Sequence, residues 1–94
     1  SIGSFAFSGD SSLKSLIIPE GVLTIEQGVF QYCKALKTVV IPASVMSIGQ
    51  YAFQETGLET VNFAGSEEDW NEISIGSDND PLTGATINYN YTSE

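Results

Sequence analysis

Apolar residues return along this chain at fixed offsets of 23 residues. Ile2, Ile25 and Ile48 form one set and Phe7, Phe30 and Phe53 another, while Pro19 answers to Pro42, Val22 to Val45 and Leu13 to Leu36. The third copy loses one residue, so its leucine is Leu58. A constant period in the twenties, with apolar residues at set positions, marks a solenoid in which each repeat is one supersecondary unit stacked on its neighbours.

Within each period the pattern predicts the elements. Leu13–Ile18 (LKSLII), Leu36–Ile41 (LKTVVI) and Leu58–Phe63 (LETVNF) are rich in strand-forming residues and alternate with period two. They read as parallel strands with Leu16, Ile18, Val39, Ile41, Val61 and Phe63 turned inward. Ser15, Ile17, Thr38, Val40, Thr60 and Asn62 then point outward. Pro19 and Pro42 end their strands by removing a ladder donor. The VLTI and VMSI segments that follow predict a second short extended piece, and QGVF and QYAF predict a helical turn that throws its phenylalanine inward. The isoleucine and phenylalanine ladders are the expected core.

The period breaks after Phe63. Ser66-Glu67-Glu68-Asp69 has the form of a capping box, in which Ser66 accepts from the amide three residues on. Trp70 and Ile73 then share one face of a short helix. Gly76 to Pro81 is rich in turn formers. Residues 85–91 alternate strictly and predict a last strand with Ala85, Ile87, Tyr89 and Tyr91 on one face. The expected organisation is one domain, with repeats over residues 1–63, the first of them truncated, and a C-terminal cap over residues 64–94 with Trp70 as its plug. Further repeats are expected before residue 1, since the chain opens at the Ile2 position without the Pro-x-x-Val segment that precedes Ile25 and Ile48.

Charge changes the functional picture. Residues 1–47 carry all three lysines and three acids, whereas residues 48–94 carry nine acids and no base, giving a formal net charge of −9. That balance excludes nucleic acid, which needs clustered Lys and Arg, and disfavours anionic membranes. No apolar run is long enough to span a bilayer, so no direct membrane insertion is expected. Histidine and arginine are absent. Cys33, the single cysteine, has Asp10 and Thr56 as its period mates and no histidine base, so it reads as a packing residue. No catalytic, cofactor-binding or metal-ligating set is expected, and the protein is not expected to be an enzyme. Asp78, Asn79 and Asp80 lack the further ligands of a calcium loop and read as a turn.

The run Ile41-Pro42-Ala43-Ser44-Val45-Met46-Ser47-Ile48-Gly49-Gln50-Tyr51-Ala52-Phe53, completed by Cys33, Leu36 and Val39 from the preceding copy, closely resembles the bacterial leucine-rich repeats called BspA-like. Glu26 and Val29 depart from the Gly and Ala usual there, as does the shortened Gly57-Leu58 junction. The resemblance covers residues 2–63, and the tail is similar to the segment that closes such proteins. It implies an α/β leucine-rich repeat solenoid of right-handed coils of about 23 residues, with a parallel sheet on one face, mostly β with short helical turns, and a C-terminal cap. It also implies secreted or surface-attached bacterial proteins, some of them adhesins, with no catalytic residues.

Two functions fit. One is an extracellular or cell-surface module that recognises a protein or glycan, and the other is a structural spacer presenting a neighbouring domain. Solenoid sheets are habitual binding surfaces. Outward ladders Lys14/Lys37/Glu59, Ser15/Thr38/Thr60 and Ile17/Val40/Asn62 are the candidate binding face.

Overall fold

A computed structural model describes Gly3 and residues 6–92. Ile2, expected at the head of the isoleucine ladder, lies outside the described residues. In chain order the elements are β1 (Ser15–Ile17), β2 (Thr24–Ile25), β3 (Thr38–Ile41), β4 (Ser47–Ile48), β5 (Thr60–Phe63), α1 (Glu67–Asn71), β6 (Ser74–Ile75), α2 (Asp80–Thr83) and β7 (Thr86–Asn88). They form two parallel sheets, β1-β3-β5-β7 and β2-β4-β6. Each of the first three passages of the chain therefore contributes one strand to each sheet, and the last adds β7 to the first sheet, which is how a solenoid stacks. The strands are shorter than the apolar runs predict, yet their alternation is as expected: Ile18, Val39, Ile41, Val61 and Phe63 are buried and Leu16 is partly so.

A third side of each coil is made of turns rather than helix. Gln31 donates to the carbonyl of Gly28 and Cys33 to that of Phe30, and Ala52 and Gln54 repeat the pattern with Gly49 and Tyr51. Two corners per coil take left-handed backbone, which stops a helix from propagating. Gly9, Tyr32 and Glu55 hold one corner at φ 81°, 65° and 59°, and Gly28, Tyr51 and Asp78 hold the other at 66°, 65° and 65°. Coils are stitched together here as well, with the amides of Gly28, Phe30 and Tyr32 donating to the carbonyls of Gln50, Ala52 and Gln54.

Between the three sides lies the core. Ile25 and Ile48 are buried, and so are Leu36, Leu58 and Val45. Phe30 and Phe53 are fully buried with centroids 5.3 Å apart. Phe7 stacks on Phe30 at 5.8 Å and 11° and is 39% exposed. Burying each of these side chains in full is worth roughly 1.5–3 kcal/mol.

Beyond Phe63 the chain makes another circuit by a different route. Ser66 Oγ accepts from the amide of Asp69 at 3.1 Å, and an Asp69 carboxylate oxygen accepts from the amide of Ser66 at 3.3 Å, so α1 opens with the expected capping box. Its Trp70 is 8% exposed and meets Phe63 edge-to-face, with centroids 5.1 Å apart at 66°. The chain then adds β6 beside β4 and β7 beside β5. Ala85, Ile87, Tyr89 and Tyr91 are the half-buried members of the last stretch, alternating with exposed Thr86, Asn88 and Asn90.

The turn-forming run holds two features that composition does not predict. Residues 80–83 form the short helix α2, with Pro81 in its first turn and Leu82 buried. Asn79 turns inward and is 2% exposed.

Candidate functional site

Strand register decides which side chains share the outward face of the first sheet. Ser15 pairs with Thr38, Thr38 with Thr60 and Thr60 with Thr86, while Ile17 pairs with Val40, Val40 with Asn62 and Asn62 with Asn88. One residue before the strands, the amide of Lys37 donates to the carbonyl of Lys14 at 2.9 Å and that of Glu59 to Lys37 at 2.8 Å, bringing Lys14, Lys37 and Glu59 into a third row. Six of the nine predicted positions thus fall in two in-register rows of the sheet, and Lys14, Lys37 and Glu59 lie side by side just before its strands. Ser15 and Ile17 are exposed, and Thr38, Val40, Thr60 and Asn62 are half-exposed.

Thr86 and Asn88 extend this face by a fourth strand and were not among the predicted positions. Thr60-Val61-Asn62-Phe63 and Thr86-Ile87-Asn88-Tyr89 share one chemical pattern, which a search at the 23-residue period passes over because the last circuit is longer. Asn88 Nδ2 donates to Asn62 Oδ1 at 2.9 Å, joining the two strands on their outer side.

Electrostatics on the face are weak. Lys37 Nζ lies 3.7 Å from a carboxylate oxygen of Glu59, with the two side chains 55% and 70% exposed, so the pair orders the surface more than it stabilises the fold. Toward Pro42 the face turns apolar: Ile17, Val40, Pro19 and Tyr91 border a depression of about 400 Å³. Along its strands the sheet therefore presents an ion pair, then hydroxyls, then a row that passes from aliphatic to amide groups across the strands. Such a surface can make shape-specific contacts.

Cys33 is buried, and its Sγ donates to the carbonyl of Phe7 at 3.0 Å. Burial pushes its pKa up, the reverse of what an attacking thiolate requires. Asp10, at the equivalent position one coil earlier, accepts from the hydroxyl and amide of Ser12, which hold its carboxyl below the usual range. Asp78 and Asp80 flank an asparagine whose side chain is engaged inside the protein: Asn79 Nδ2 donates to the carbonyls of Gly49 and Gly76. Among the described residues no three His, Cys, Asp or Glu side chains gather as metal ligands, and no helix is long and apolar enough to cross a membrane.

A family model for the BspA type leucine-rich repeat region matches residues 1–90, in six copies. The match runs on past Phe63 through the segment whose sequence loses the period. No curated protein and no solved structure matches the chain.

Proposed function

The chain belongs to the BspA-type leucine-rich repeat family, and on that premise we propose that it is a non-catalytic recognition or adhesion module, secreted or held at the cell surface, that binds a protein or glycan on the outward face of its first sheet. One observation carries this reading: four parallel strands hold Ser15/Thr38/Thr60/Thr86 and Ile17/Val40/Asn62/Asn88 in register, with the outer residues of β1 and β7 exposed and those of β3 and β5 half-exposed. The buried side chains behind them fix the backbone, so little ordering is needed on binding. Chemically mixed groups at fixed spacing supply selectivity, and no part of the reading asks for proton transfer.

The test is a screen of the chain against arrays of extracellular-matrix proteins and of glycans, followed by amide chemical-shift mapping of any ligand found. Perturbations gathered on residues 14–17, 37–40, 59–62 and 86–88 support the reading. A ligand whose perturbations all fall on the turn side, around Tyr32 and Tyr51, removes the sheet from the account. If nothing on either array binds, the spacer role takes its place.

A further inference from the structure

Three depressions share walls around the corner where the chain leaves the first sheet. The one bordered by Ile17, Val40 and Tyr91 joins a second, also of about 400 Å³, through Glu20, Pro42 and Ala64. This second one meets a third, of about 240 Å³, at Ala43, and the third ends at Met46, Ile73, Asp69 and Glu72. The result is one trough leading from the proposed binding face over the proline corner to helix α1.

Its lining is apolar with acids at intervals. Ile17 and Met46, one toward each end, are each 68% exposed and offer apolar surface to a partner. Every lining side chain charged at neutral pH is a carboxylate: Glu20, Asp69 and Glu72. Glu67 and Glu68 stand in the first turn of α1 beside Asp69 and add to the same field. Lys14, Lys34 and Lys37 all precede the first-sheet strands, at the end away from the corner.

We propose that this trough takes an extended polypeptide segment carrying a lysine or arginine next to an aliphatic residue, a proposal that rests on the first sheet being the binding face. The aliphatic residue seats between Ile17, Val40 and Tyr91. The basic side chain lays its methylene stem along Met46 and Ile73 and brings its charge to Glu72 and Asp69. A polyanionic glycan is repelled by these acids. A neutral sugar finds aliphatic and prolyl walls with only Tyr91 as an aromatic surface, whereas those walls suit peptide side chains.

Fluorescence anisotropy with short synthetic peptides tests this directly. One set carries Leu and Arg at varied spacing, a matched set carries Glu in place of Arg, and a neutral oligosaccharide is the third probe. The expected result is binding of Arg peptides alone, weakening as salt is raised. Glu72→Gln should weaken it about tenfold, the loss of one charge-assisted contact. Ala64→Tyr should block the trough, and Met46→Lys is a second block should that variant fail to fold. Equal binding of Glu peptides, preference for the oligosaccharide, or indifference to Glu72→Gln and both blocking variants overturns the trough. If Thr38→Arg abolishes peptide binding while the trough variants do not, the sheet reading stands and the trough alone falls.

Discussion

Asn79 Oδ1 accepts the amide proton of Phe53 at 2.8 Å, in the place where, one coil earlier, the carbonyl of Ala52 accepts the amide of Phe30 at 2.9 Å. A side chain thus completes the ladder that a further backbone would have continued. Its Nδ2 satisfies the carbonyls of Gly49 and Gly76 at 3.0 Å and 2.9 Å, so one buried amide serves three backbone groups.

Asn79→Ala leaves the Phe53 amide and the Gly76 carbonyl without partners, while the Gly49 carbonyl keeps the amide of Ala52, and should cost about 2 kcal/mol or more, read by urea titration. Asn79→Asp keeps the acceptor but aims a carboxylate at two carbonyls. It should be at least as damaging at neutral pH and should recover in part on mild acidification, when the protonated acid can donate once. Equal stability of the wild type and the Asn79→Asp variant across that pH range would remove the ladder-ending role.

Coil spacing depends on glycine at two places. A Cβ on Gly49 would stand 2.6 Å from the backbone nitrogen of Gln27, and one on Gly76 2.6 Å from that of Gln50. Backbone cannot swing aside as a side chain can. Gly49→Ala and Gly76→Ala should each lower stability by about 1–3 kcal/mol in a thermal melt, and a neutral result at both would contradict the close stacking.

Trp70 anchors α1 through its contact with Phe63, and Ile73, just past the helix, is buried as well. Trp70→Ala should cost about 3–5 kcal/mol. Fluorescence gives an independent reading: the native indole should resist quenching by acrylamide, and ready quenching would place it in solvent.

Much of this was legible because the apolar set and the period are the same signal. Leu36, Ile48 and Phe53 reveal their burial by recurring, and Ser66 with Asp69 reveals the helix start by spacing. The left-handed corners were hidden, since Gly9 announces one and Tyr32 and Glu55 at the equivalent positions do not. Asn79 was hidden for a different reason. Its neighbours Ser77, Asp78, Asp80 and Pro81 are surface turn formers, and only the third dimension shows the carbonyls that draw its amide inward. Of the candidate face, β1, β3 and β5 were readable from alternation, whereas Thr86 and Asn88 join it only once the longer last circuit is known.

The corner at Glu55 offers a stabilising change. Glu55 is exposed at φ 59°, where Gly9 serves in an earlier coil. Glu55→Gly should relieve the left-handed strain and add about 0.5–1 kcal/mol, after allowing for the greater freedom of glycine in the unfolded chain. A lower melting temperature for this variant would contradict it.

The central claim is that the stack supplies stability while the outward sheet face supplies recognition, and paired affinity and melting measurements on Thr38→Arg and Val40→Glu test it most directly. With the ligand identified from the arrays, both variants should lose most of their affinity. Their stability should change by less than about 0.5 kcal/mol, since the new side chains lie on the outward face of the sheet. Wild-type affinity in both variants, or loss of affinity only in step with a collapsing melt, would contradict the account.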